Sequence, residues 1–128
     1  MSGNGVRRHP DDVVAVFQRV LDGSPAQARY IEVGAGRRVH VIELGDGPPL
    51  VLLHGTGASG LPFVPLLERL DGVRAIAVDR PGFGLSDAVN LPRERYREAV
   101  VEWLNRLLDA LGLETTALAG SSAGGAWA

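Results

Sequence analysis

Apolar residues recur along this chain with two different periods, and the points where the period changes divide it into elements. Val13, Val14, Phe17, Val20 and Leu21 fall at helical spacing and end at Gly23. His9-Pro10-Asp11-Asp12, just before them, reads as a helix start, because proline suits the first helical position and carboxylates suit the positive end of the helix dipole. The pattern predicts a polar tail and a short amphipathic helix packed on the domain surface, together covering residues 1–28. From Arg29 the period falls to two. Tyr30 to Val33, a Gly34-Ala35-Gly36 turn, and Arg38 to Leu44, where Val39 and Val41 alternate with Arg38 and His40, predict a β-hairpin.

Beyond the Gly- and Pro-rich break from Gly45 to Pro49 the alternation gives way to continuous apolar runs. Leu50 to Leu53, Val73 to Val78 and Thr115 to Gly120 predict strands covered on both faces, as in a parallel sheet. Leu61 to Leu70 predicts a helix between the first two. A longer helix from Arg93 to Leu111 precedes the third, with Pro92 near its start, Tyr96, Ala99, Val100, Trp103, Leu104, Leu107, Leu108 and Leu111 on one side, and Gly112 as its stop. Residues 29–128 therefore read β-β-β-α-β-α-β, followed by a turn into another helix at Ala123. Strands alternating with helices predict an α/β fold, a mostly parallel sheet with helices on both faces.

Composition narrows the partners. A net charge of -2, with arginines clustered only in pairs, gives no basic field for nucleic acid. The absence of cysteine excludes disulfides and thiolate metal sites. Met1 to Asp12 has no apolar signal core, and no later stretch reaches the roughly 18 apolar residues of a membrane span. The expectation is a soluble cytoplasmic protein acting on a small molecule, with no nucleic-acid or membrane partner, no cofactor and no metal. Oligomeric state is left open.

In sheets of this kind ligands bind beyond the carboxyl ends of the strands, here the loops after Leu53, Val78 and Ala119. The last reads Gly120-Ser121-Ser122-Ala123-Gly124-Gly125, a G-x-S-x-G match centred on Ser122, between a strand and a segment able to open a helix. The spacing has a geometric reason, since the serine sits at a sharp turn where side chains two residues to either side would collide with it. Directly after Leu53 comes His54-Gly55-Thr56-Gly57. Its tight turn can present backbone N–H groups to a developing oxyanion, so that Thr56 N–H paired with Ala123 N–H would form a two-donor oxyanion hole. His54 belongs to that turn and is expected to steady it by hydrogen bonding rather than to act as a general base.

Leu50 to Gly57, Asp79-Arg80-Pro81-Gly82-Phe83-Gly84-Leu85-Ser86-Asp87 and Gly120 to Gly125 together resemble the three N-terminal signatures of α/β-hydrolases, over about residues 29–128. The resemblance implies a mixed sheet in which Arg38 to Leu44 runs antiparallel to its neighbours. It implies Ser122 as nucleophile and the backbone of Thr56 and Ala123 as oxyanion hole, with His54, Gly55, Gly57, Gly120 and Gly124 supporting the loops. The activity implied is hydrolysis of an ester-like or related small molecule through an acyl-enzyme. Serine at the turn, where haloalkane dehalogenases and epoxide hydrolases carry aspartate, sets the chain apart from those members.

One departure from the pattern is plain. The triad order in this fold is serine, then an acid, then histidine, yet neither an acid nor a histidine follows Ser122, and His9, His40 and His54 all precede it. The expectation is a partial domain, the N-terminal half of the hydrolase sheet, truncated after the serine turn and inactive alone. Two rival readings remain. Gly55-Thr56-Gly57-Ala58-Ser59-Gly60 matches G-x-G-x-x-G, with Asp79 about 20 residues on, as a dinucleotide site requires, although Pro62 and Pro65 interrupt the helix start. The other is a binding module that keeps the scaffold without the chemistry.

Overall fold

The computed structural model describes residues 10–128; the tail and His9 fall outside them. Helix α1 spans Asp11–Asp22, strand β1 Gln27–Glu32, β2 Arg38–Leu44 and β3 Pro49–Leu53. A 3-10 turn, Leu61–Phe63, leads into α2, Val64–Arg69, and β4 spans Arg74–Val78. A second 3-10 turn, Arg93–Arg95, leads into α3, Tyr96–Ala110, followed by β5, Ala117–Gly120, and α4, Ala123–Trp127.

The five strands form one sheet in the order β1-β2-β4-β3-β5. β2 runs antiparallel to both β1 and β4, while β3 is parallel to β4 and to β5, as the hairpin and the buried runs led one to expect. The carboxyl ends of β1, β3, β4 and β5 therefore lie along one edge of the sheet. Leu53 pairs with Val78 on one side and Gly120 on the other, so the three glycine-rich loops emerge from neighbouring strand ends.

Alternation along each strand sorts side chains between two cores. Val39, Val41, Val51, Leu53, Ile76 and Val78 face α3 and α4, where Trp103, Leu107 and Trp127 meet them. Ile42, Leu52, Ala75 and Ala77 face the other way, onto Val64 and Leu67 of α2. Helix α3 closes as its sequence predicts. Leu113 N–H donates to the Leu108 carbonyl and Gly112 N–H to that of Asp109, the paired bonds of a Schellman stop with Gly112 just past the cap.

Several expectations need correction. Pro10 caps α1 instead of occupying its first turn. Of the predicted apolar stripe on α1 only Phe17 is buried, against the His40 ring, while Val13 and Val20 stand 36% and 39% exposed. The two prolines after Gly60 shorten the helix predicted over Leu61 to Leu70: Pro62 sits in the 3-10 turn and Pro65 in the first turn of α2, where a missing N–H is tolerated. Most telling is β5. Its apolar run predicts a strand covered on both faces, yet among the described residues all four positions are exposed and β5 pairs with β3 alone.

Candidate active site

The chain reverses sharply between β5 and α4, and Ser122 is the residue on which it turns, with φ 53° and ψ -118°. A non-glycine residue in the left-handed region costs about 1–3 kcal/mol and persists only where the surroundings over-determine it. Here the restraints are visible. Ser121 N–H donates to the Leu53 carbonyl at 3.0 Å, Gly124 N–H to the Ser121 carbonyl at 2.9 Å and Gly125 N–H to the Ser122 carbonyl at 2.9 Å. The Ser122 side chain is exposed at the carboxyl edge of the sheet, and its hydroxyl has no hydrogen-bond partner among the described residues.

The glycines around it are required by close approaches of backbone. A Cβ on Gly120 would overlap the carbonyl group of Gly124 and the nitrogen of Gly125; one on Gly124 would overlap the Leu53 carbonyl oxygen. The nearest atoms belong to α4 in the first case and to the end of β3 in the second. Gly120 lets the first turn of α4 fold back over the end of β5, and Gly124 lets α4 lie directly against β3. Gly55 completes the contact from the other side, since a Cβ there would stand 3.4 Å from the Ser121 carbonyl oxygen and 3.5 Å from Ser122 Cβ. The loop carrying Gly55, Thr56 and Gly57 thus touches the serine turn, and among the described residues no hydrogen bond uses the N–H of Thr56 or of Ala123. Gly57 adopts φ +77°, which turns the chain away from the edge toward Gly60.

His54 is 2% exposed. Its Nδ1 lies 2.6 Å from the Gly55 carbonyl oxygen, and its Nε2 accepts the Arg80 N–H at 2.9 Å. These partners fix a neutral ring with the proton on Nδ1. They leave no free lone pair for base catalysis, and the ring ties the loop after β3 to the loop after β4. Burial lowers the His54 pKa from its ordinary value; the Gly55 carbonyl and the Asp79 carboxylate oppose this and the Arg80 charge adds to it.

Asp79 is the hub of the second loop. Fully buried, it accepts Gly60 N–H on Oδ1 at 2.6 Å, and on Oδ2 it takes Leu85 N–H and His40 Nδ1, each at 2.9 Å. Its backbone carbonyl accepts the Ser86 hydroxyl, whose oxygen in turn receives His40 N–H. Glycine is needed where this carboxylate is gripped, since a Cβ on Gly84 would overlap it and one on Gly60 would lie 3.1 Å away. The finding bears on the dinucleotide reading. Gly60 and Asp79, the ends of that fingerprint, bond to each other, so the carboxylate is closed to a ribose hydroxyl. The 3-10 turn after Gly60 offers no extended helix to a pyrophosphate.

Sequence reasoning missed one group altogether. Arg80 is 3% exposed, its guanidinium 5.1 Å from the Phe83 ring centroid and 4.8 Å from that of Trp127, with Nε and one terminal nitrogen unpartnered. Burial lowers its pKa from the ordinary value. Trp127 also donates its indole N–H to Tyr96 at 3.1 Å, so Arg80, Trp127 and Tyr96 knit the β4 loop, α4 and α3 together below the serine turn. The sequence hint was an arginine beside a buried aspartate at a strand end, with tryptophan one turn past the serine.

Among the described residues no group of metal-binding side chains occurs, and no helix is long and apolar enough to cross a membrane. A family model for the alpha/beta hydrolase fold matches residues 48–128. The chain is 36% identical over 109 residues to the 2-hydroxy-6-oxononadienedioate/2-hydroxy-6-oxononatrienedioate hydrolase of Paraburkholderia phymatum, covering 78% of this chain and 38% of that one. Among solved structures it superposes on the carboxylesterase CesB of Bacillus subtilis with a TM-score of 0.75 at 27% identity, covering 99% of this chain and 44% of that one. The haloalkane dehalogenase DatA of Agrobacterium tumefaciens gives 0.64 at 32% identity, over 80% of this chain and 34% of that one. The chain spans between about a fifth and two fifths of the length of the curated relatives it matches, 19%, 20% and 38% in three cases. The relatives include esterases, a haloalkane dehalogenase and epoxide hydrolases, and this chain belongs to the α/β-hydrolase fold family.

Proposed function

We propose that this chain carries the nucleophile and oxyanion half of a serine hydrolase acting on an ester-like small molecule through an acyl-enzyme. Ser122 attacks the carbonyl carbon, and the N–H groups of Thr56 and Ala123 receive the oxyanion. The observation that carries this reading is the Ser122 turn, a left-handed serine exposed at the strand-end edge and held against the Gly55 loop by Ser121. A serine in that strained position has little purpose outside chemistry. His54, Gly55, Gly57, Gly120 and Gly124 act by holding the two loops together.

Among the described residues neither histidine is free to take the Ser122 proton. His40 is paired with Asp79 and His54 has both ring nitrogens engaged, while no acid or histidine follows Ser122 in these residues. A serine hydroxyl without a base stays protonated and weak at neutral pH. The 128 residues alone are therefore expected to show no turnover. The test joins this chain to the C-terminal half of a related carboxylesterase and follows p-nitrophenyl ester hydrolysis and fluorophosphonate labelling. The joined protein should hydrolyse the ester and label at Ser122, and Ser122→Ala should abolish both. An unchanged rate in Ser122→Ala refutes the assignment of the nucleophile.

A further inference from the structure

A cleft of about 210 Å³ lies between α1, β1 and β2. It holds the volume of roughly seven waters at about 30 Å³ each, room for a single aromatic ring. None of its lining residues belongs to the serine turn or to the loop after β3.

His40 lines the cleft from β2 and is 3% exposed. Its Nδ1 lies 2.9 Å from Oδ2 of the fully buried Asp79. The carboxylate requires the proton on that nitrogen, which in the neutral ring leaves a lone pair on Nε2. Nε2 has no hydrogen-bond partner among the described residues, yet it is not sealed in as the unpartnered Arg80 and Trp103 nitrogens are, so it opens on this cleft rather than on the serine turn. An acceptor buried to this degree is costly unless a donor reaches it. The Phe17 and Tyr30 rings stand edge-on to the imidazole, with centroids 5.5 and 5.2 Å away, and Val14, Leu21 and Leu85 complete an apolar wall. The cation in the lining, Arg29, is held by Glu43 at 3.1 Å.

We propose that this cleft binds a small phenol, whose hydroxyl donates to His40 Nε2 while its ring packs on Phe17 and Tyr30. A carboxylate would set its charge against a lone pair, with the nearby guanidinium already taken. A metal ion would find one nitrogen here, since no group of metal-binding side chains occurs among the described residues. An aliphatic alcohol is a weaker donor and forgoes the edge-to-face contacts that a ring gains against aromatic walls.

The test titrates phenol at neutral pH into the full chain carrying ¹⁵N-labelled histidine and follows the ring nitrogens in long-range ¹H–¹⁵N spectra, assigned with His9→Gln and His54→Gln. Before phenol is added, His40 should carry its proton on Nδ1 and none on Nε2. On titration its Nε2 resonance should move saturably in the direction of a hydrogen-bonded acceptor. His54, whose two ring nitrogens are already engaged, should change little. Anisole keeps the ring and the oxygen but lacks the donor proton, and should bind about fivefold more weakly, the scale of one hydrogen bond. Ala28→Leu, at an exposed strand position that lines the cleft, should leave the spectrum dispersed and weaken phenol binding about tenfold by filling the space. The proposal is overturned if His40 carries protons on both nitrogens, if no saturable shift occurs, or if both histidines shift alike. It is equally overturned if anisole binds as tightly as phenol, or if Ala28→Leu binds phenol as tightly as the parent. An undispersed spectrum of the parent or of Ala28→Leu overturns it too, because the cleft exists only with α1 docked.

Discussion

Gly124→Ala and Gly125→Ala are chemically identical changes one residue apart, and the structure assigns them opposite signs. A Cβ on Gly124 would overlap the Leu53 carbonyl oxygen, stand 2.5 Å from the His54 carbonyl oxygen and 2.6 Å from the Leu53 carbonyl carbon. β3 cannot retreat, since it is hydrogen-bonded to β4 on one side and β5 on the other and the Leu53 carbonyl also holds Ser121 N–H. Overpacking costs about 1–3 kcal/mol and sometimes more. Backbone against backbone puts this case at the upper end, about 3 kcal/mol, against which alanine's helix preference returns about 1 kcal/mol. The net loss is about 2 kcal/mol. A Cβ on Gly125 meets nothing nearer than the Gly120 carbonyl oxygen at 3.4 Å, an ordinary contact, so only the helix gain of up to about 1 kcal/mol remains. The variants should therefore differ by about 3 kcal/mol. In the joined protein described above, at about 2–4 °C per kcal/mol, thermal unfolding followed by circular dichroism should separate them by roughly 6–12 °C, Gly124→Ala melting lower. Midpoints within about 2 °C of each other would refute the claim that Gly124 is fixed by close approach to β3.

The oxyanion assignment makes backbone matter more than side chain: in the joined protein Thr56→Ala should change ester turnover less than about twofold, whereas Gly57→Pro should cost at least about a hundredfold, because proline cannot adopt φ +77° and removes an N–H. Equal, small effects on kcat would place the loop away from the reacting oxygen. Burial lowers the His54 pKa below its ordinary 6.5, so the unfolded state binds more protons just below that pH; the His54 contribution is full above about 6.5 and declines as pH falls through the lowered folded value. His54→Gln should flatten that part of the stability-versus-pH curve measured by urea unfolding, and an unaltered slope would rule out His54 as its source. Arg80→Met, which replaces a buried guanidinium with two unpartnered nitrogens by an apolar chain of similar length, should leave unfolding stability within about 1 kcal/mol of the parent, the lost ring contacts being offset by the relieved desolvation. A loss above about 2 kcal/mol would mean that the guanidinium has a partner in the folded protein.

What the sequence determined by itself is local. The two-residue period from Arg38 to Leu44 and the continuous runs at Leu50 and Val73 located β2, β3 and β4 to within a residue, because side-chain alternation and burial are written into neighbouring positions. Gly112 marked the end of α3, and the glycine–serine spacing at 120–124 marked the sharp turn, since backbone conformation constrains residue type where it is used. The tertiary structure decided what depends on partners far along the chain. Strand order is one case: β4, fourth along the chain, inserts between β2 and β3. The Asp79 hub is another, as its donors come from His40, Gly60 and Leu85 on three separate segments. The glycines at 120 and 124 were legible as requirements, but not the atoms that require them, which belong to α4 and β3. Arg80 could not be placed at all from its neighbours, because a guanidinium between two aromatic rings is defined by where Trp127 arrives after the chain has crossed α3 and β5.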